Sequence, residues 1–207
     1  MRPTEILSAE HRVIEQILDC LENIAAEAQR RGVLDIESAQ RALRILKTFA
    51  DTCHHGKEEH HLFPKLQQLG IPRGVGPLAV MLEEHDVGRA HIRGMDESMR
   101  ALAGGDRAAL ERFATHATGY VQLLREHIQK EDSILFPMAE AALKESDRRE
   151  LVEAFGRVEN EELDPGTHAA MLALADGLAE KYGVVKASAR TPAPFHGCCH
   201  RSTAGAR

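Results

Sequence analysis

Hydrophobic positions recur at three- and four-residue spacing along nearly the whole chain, with no alternating run of useful length between them. That is the periodicity of helices packed on one face. Leu7, Ile14, Ile17, Leu18, Leu21, Ile24 and Ala25 form a first stripe, which Thr4 can cap and which ends near Gly32. A second, capped by Asp35, carries Ala39, Leu43, Leu46 and Phe49 and stops near Gly70. "GIPRGVGP" reads as a connection. A third helix then runs from about Pro77 to "ALAGG", and a fourth from about Asp106 to Leu143. Short connections between long amphipathic helices make neighbours antiparallel. The pattern therefore predicts an all-α protein, an up-down-up-down four-helix bundle over residues 1–145. Two shorter helices are expected in residues 146–183: Asp147 to about Val158, then one capped by Asp164 with Pro165 in its first turn. Periodicity stops at Val184, so residues 184–207 are expected to be a flexible tail.

The helices contain a repeat. "HHGKEEHHLFP" (His54–Pro64) aligns without gaps on "HIQKEDSILFP" (His127–Pro137), identical at six of eleven positions. Upstream, "AEHRV" (Ala9–Val13) echoes "EEHDV" (Glu83–Val87), and the offsets are 73 and 74 residues. Two helix pairs thus share one layout, a His on the first helix and His-x-x-x-Glu on the second. His and Glu four apart lie on one helical face, about 6 Å apart along the axis. His11 and His85 fall roughly 10–12 Å from their helix starts at 1.5 Å per residue. Pro64 and Pro137, where each helix should kink or end, lie about 9–15 Å beyond the two His-x-x-x-Glu pairs. In an up-down bundle all these groups reach one level. His11 shares its register with Ile14, Leu18 and Leu21; Ile134 follows His127 at i+7; Leu62 and Leu135 follow Glu58 and Glu131 at i+4. The groups therefore face inward.

Two buried carboxylates among four imidazoles are untenable without cations. Mixed imidazole and carboxylate ligation suits iron, with zinc and manganese as alternatives, and the lack of inward thiolates argues against a cysteine-type zinc site. With His11, His54-x-x-x-Glu58, His85 and His127-x-x-x-Glu131, residues 4–143 resemble the hemerythrin-like cation-binding domain. The resemblance implies a four-helix bundle holding two non-haem irons, bridged by the carboxylates and an oxo or hydroxo group. It carries over His11, His54, Glu58, His85, His127 and Glu131 as iron ligands. It also implies a small partner: peroxide, dioxygen or nitric oxide reacting at the centre, or, without turnover, dioxygen, nitric oxide or iron sensed or stored there. One position departs from the oxygen carriers, whose third helix has His-x-x-x-His; here the residue four after His85 is Arg89. Four imidazoles, two bridging carboxylates and an oxo group fill about ten of roughly twelve positions on two six-coordinate irons. About two remain open, which favours chemistry over reversible carriage.

The remaining histidines have weaker spacing. His61, at i+7 from His54, is an extra-ligand candidate but reads better as a solvated or supporting group. His55 and His60 point elsewhere on an α-helix; a rotated helix would exchange His54/Glu58 for His55/Glu59, and the alignment of Phe63-Pro64 with Phe136-Pro137 favours the former. Tyr120, seven before His127, can ligate or hydrogen-bond, although a core tyrosine is the commoner case. His91, His116 and His168 have no supporting spacing, and "HGCCH" (His196–His200) reads as incidental tail. Cys20 and Cys53 read as packing residues. A net charge of −6 gives no case for nucleic acid or an anionic membrane. No apolar run approaches the roughly 18 residues of a membrane helix, and the N-terminus shows no signal-peptide core. The expected location is the cytoplasm.

Overall fold

A computed structural model describes residues 2–159 and 166–190. Among these residues every regular element is helical. Helix α1 is Pro3–Arg31 and ends on Gly32, whose φ of 67° is the left-handed cap that glycine adopts freely. Helix α2 (Ile36–Ile45) starts where Asp35 accepts a hydrogen bond from the Ser38 amide at 3.1 Å. It continues through wide π-helical turns, Leu46–His55 and Glu58–Leu62, into α3 (Phe63–Gln68). Helix α4 is Pro77–Ala103; α5 (Ala109–Lys130) passes through another π turn, Glu131–Leu135, into α6 (Phe136–Ala142). Helices α7 (Glu145–Arg157) and α8 (Thr167–Tyr182) follow.

Along α1 and α5 the contacts run in opposite senses, from Gln29 with Glu111 at one end to Ser8 with Asp132 at the other. On α4 and α5, Gly88 lies against Leu124 and Gly94 against His116, again in opposite senses.

Two apolar layers make the core. The larger joins Ile14, Leu18, Leu46, Met95, Phe113 and Leu124 with α8 residues Met171 and Leu178. The smaller joins Leu7, Leu62, Phe63, Met81, Leu135 and Phe136 with α7 residues Leu151 and Phe155. On α1, Leu7 belongs to the second layer and Ile14 to the first, so His11 lies between them. The polar level of the repeat is thus sandwiched between two layers that exclude water.

Four expectations change. Thr4 does not cap α1: the helix starts at Pro3, and the Thr4 hydroxyl donates to Glu140 at 2.6 Å. Of the kink or end expected at Pro64 and at Pro137, the end occurs in neither helix, and the helices run on to Gln68 and Ala142, close to the ends expected near Gly70 and Leu143. A proline removes one backbone donor and crowds the preceding turn, and a π turn lies immediately before each, so the widened turn absorbs the ring. The same inserted turn carries Ile134 out of the core, where it is 56% exposed. The chain after Val184 is not free throughout: Ala187–Ala189 form a short 3₁₀ turn, the Ala187 amide donates to Gln16 at 2.5 Å, and Arg190 pairs with Asp19 at 2.7 Å. The Asp164 cap, Pro165 and the "HGCCH" segment lie outside the described residues.

Candidate metal centre

The repeat places its groups at one level. Among the described residues, His11, His54, Glu58 and Glu131 each offer an atom within 4.8 Å of the others', and so do His55, Glu58, His85 and His127. Glu58 belongs to both groups. All seven side chains are buried. The Nε2 atoms of His11 and His54 lie 3.1 Å apart, and those of His85 and His127 3.2 Å. One Glu58 oxygen lies 3.8 Å from His54 and 3.5 Å from His85; one Glu131 oxygen lies 3.1 Å from His11 and 3.3 Å from His127. Each carboxylate therefore faces one imidazole of each pair.

A carboxylate behind each of the four rings fixes which nitrogen points inward. His11 Nδ1 donates to Asp132 at 2.9 Å, His54 Nδ1 to Glu10 at 2.9 Å, His85 Nδ1 to Glu59 at 2.7 Å and His127 Nδ1 to Glu84 at 2.9 Å. With Nδ1 protonated toward a carboxylate, a neutral imidazole turns its Nε2 lone pair to the centre. Cations in turn steady these carboxylates: Arg12 holds Asp132 at 2.6 Å, Arg89 holds Glu59 at 2.5 Å, Lys57 pairs with Glu10 and Lys130 with Glu84. The sequence analysis gave none of them a supporting role, Glu59 entering only as an alternative ligand and Arg89 only as the residue in place of a second histidine, although the repeat contains all but Arg89. Glu10 aligns with Glu84, Lys57 with Lys130 and Glu59 with Asp132.

The interior of the cluster is short of positive charge. Both oxygens of Glu58, one of Glu131 and both ring nitrogens of His55 are buried without a hydrogen-bond partner. Burial first, then the charge of Glu131, raises the Glu58 carboxyl well above the usual carboxylate range. Burial opposes ionisation of Glu131 too, but the neighbouring His127 and His11 outweigh it and hold its carboxyl low. Burial would lower His11, yet its bonds to Asp132 and Glu131 push it up to about 9, so without a cation its Nε2 keeps a proton toward Glu131, which a metal ion would displace to free the lone pair. His54 is pushed down to about 4 by burial, against the pull of Glu10. Converging lone pairs and unpartnered carboxylate oxygens, sealed from water, fit divalent or trivalent cations and fit little else.

Residues 2–139 match the family model of the hemerythrin HHE cation binding domain. The chain belongs to this family. It is similar to uncharacterized proteins of Mycobacterium tuberculosis (strain ATCC 25618 / H37Rv) and Mycobacterium bovis, 28% identical over 155 residues that cover 73% of this chain. The match spans 58% of the length of those relatives. No solved structure matches the chain.

Within this hemerythrin domain the other candidates separate clearly. His55 does not point away: it is buried, its ring stacks on His85 at 3.8 Å, and it joins the His85/His127 group. A turn closed by i→i+5 bonds holds more residues than 3.6, so consecutive side chains diverge by less than 100° and His54 and His55 both face inward. Glu59 stays outside the cluster as the support of His85, so His55 adds to His54 without Glu59 replacing Glu58. Arg89 also stays outside, bound to Asp51 at 2.8 Å and to Glu59. His60 is exposed, and the half-buried His61 packs near Phe155, its ring 6.4 Å from that ring. Tyr120 is buried in the larger apolar layer, and burial pushes its hydroxyl pKa up. Cys20 and Cys53 are buried free thiols; burial raises them to about 12 and about 11, so they pack and do not react. A cavity of about 960 Å³ lies behind His11 on the Asp132 side, but its Arg2, Arg12, Arg125 and Arg190 are each paired with a carboxylate.

Proposed function

We propose that this chain is a non-haem di-iron protein of the hemerythrin type that acts on a small oxidant: peroxide, dioxygen or nitric oxide. The supporting observation is the pair of four-donor groups sharing Glu58, with four histidines each backed by a carboxylate. His11, His54, His85, His127, Glu58 and Glu131 would hold the irons, and His55 would join His85 and His127 as a third imidazole at one of them. A bound iron pair supplies electrons and exchangeable coordination positions to the oxidant. The protein's part is orientation and exclusion: Asp132, Glu10, Glu59 and Glu84 lock the rings, and the two apolar layers keep bulk water out. The four long helices would form an up-down-up-down bundle, and the setting would be cytoplasmic.

His55 changes the ligand count. With five imidazoles and two carboxylates to hold the irons, about one position fewer would be left for the small ligand than four imidazoles leave, and the His11/His54 group, with one imidazole less, would be the side on which it binds. That observation favours a second reading, a sensor or store that binds the small ligand and releases it. Metal analysis and optical spectroscopy of protein purified from iron-replete cells separate these readings. Close to two irons per chain are expected, and stoichiometric zinc without iron would sink the di-iron assignment. Air admitted to the reduced protein should give a change that evacuation does not reverse. Full reversal on degassing would move the assignment to the binding reading.

A further inference from the structure

A second pair of imidazoles lies outside the centre, between α4 and α5. His91 and His116 meet with their Nδ1 atoms 3.3 Å apart, rings 5.5 Å between centroids and inclined at 71°. Both are half-buried, so solvent reaches them. Each ring occupies a notch that a glycine opens on the opposite helix. A Cβ on Gly94 would meet the His116 ring at 2.4 Å, and one on Gly119 would meet the His91 ring at 2.5 Å. The two helices therefore carry the same device, His-x-x-Gly, in opposite senses: His91 with Gly94, and His116 with Gly119.

Glycine in mid-helix is less stable than alanine, and alanine would serve for plain close packing. What the glycines permit is two imidazole nitrogens face to face. Two lone pairs cannot face each other at this distance, so without a cation one Nδ1–H must donate to the other Nδ1. A metal ion can replace that shared proton. Two nitrogens bound to one ion at about 2.0–2.1 Å lie about 3.3–3.4 Å apart at the tetrahedral angle of zinc and about 2.9 Å apart at the right angle of nickel or copper(II), so the pair fits the first as it stands and the others after an approach of about 0.4 Å. Burial and the neighbouring His116 hold the His91 imidazole below its ordinary pKa, which keeps it in the neutral, ligating form.

We propose that His91 and His116 are a second metal site, taking a borderline divalent cation such as nickel, zinc or copper(II) through their Nδ1 atoms, with water completing the coordination. Imidazole pairs suit these ions, whereas magnesium and calcium prefer oxygen. The site is distinct from the buried centre, shares no residue with it and does not depend on what that centre does.

Equilibrium dialysis of the full-length protein against nickel, with metal counted per chain, tests this. Wild type should retain one nickel more than His91→Gln or His116→Gln, each shown to be folded by unchanged helical circular dichroism. Binding at the buried centre or in the "HGCCH" segment is common to all three and cancels in the difference. Gly119→Ala keeps both histidines but drives the His91 ring out of its notch, and it should lose the same nickel. Equal nickel in wild type and both histidine variants overturns the site. Undiminished binding in Gly119→Ala overturns the notch geometry on which the proposal stands.

Discussion

At the scale of single residues, Glu58 concentrates the physical conflict of the fold. It is fully buried, neither oxygen has a hydrogen-bond partner, and Glu131 adds like charge. A cation resolves the conflict, so the effect of Glu58→Gln should change sign with metal. In the metal-loaded protein the variant should lose metal and melt lower. In the chelated protein it should be neutral or stabilising by about 1–2 kcal/mol, because an unmatched buried acid is replaced by an amide of the same shape. Thermal denaturation with and without chelator reads both, and destabilisation of equal size in the two states would remove the metal from the explanation. His168→Ala, a residue of neither donor group, should leave metal content unchanged. Glu10→Ala and Glu84→Ala strip the supports of His54 and His127 and should weaken metal affinity by about 10–100-fold while leaving saturating stoichiometry intact. Metal-competition titration measures this; unaltered affinity would make these carboxylates mere packing.

At the scale of elements, the π turns matter most. They let both helices run through Pro64 and Pro137 and turn His54 and His55 inward together. The segment after α8 also has an element-level role, since Gln16 and Asp19 on α1 bind Ala187 and Arg190. Removing residues from Val184 onward should therefore cost about 1–2 kcal/mol relative to removing them only from Thr191 onward, the size of one lost packing contact with its hydrogen bonds. Metal content should be the same in both. Equal melting temperatures for the two truncations would show that the α1 contacts contribute nothing.

At the scale of the whole molecule, the metal level lies between two apolar layers, so metal binding and folding are coupled. Binding to the folded state alone stabilises by about 2.7 kcal/mol when free metal is 100 times its dissociation constant. Chelation should lower the melting temperature and readdition of iron should restore it. A melting temperature indifferent to chelator would mean that the cluster tolerates its buried carboxylates without cations. No helix among the described residues is long and apolar enough to cross a membrane.

The chain's periodicity determined the helices and most of their ends, because burial on one face imposes a 3.6-residue pattern that caps and glycines punctuate. Its internal repeat identified the level at which His11, His54, Glu58, His85, His127 and Glu131 meet, because two helix pairs with one layout have equivalent positions in space. The carboxylates behind the histidines were present in the same repeat, at Glu10 and Glu84 and at Glu59 and Asp132, but their partners are 26 to 121 residues away, and spacing within one helix cannot reveal them. Which way His55 and Ile134 point was decided only by tertiary structure. Helical phase read from sequence assumes 100° per residue, and a π turn breaks that assumption wherever packing stabilises it. The His91–His116 pair was hidden for a related reason: each ring needs a glycine on the other helix, and only the approach of α4 to α5 brings the four residues together.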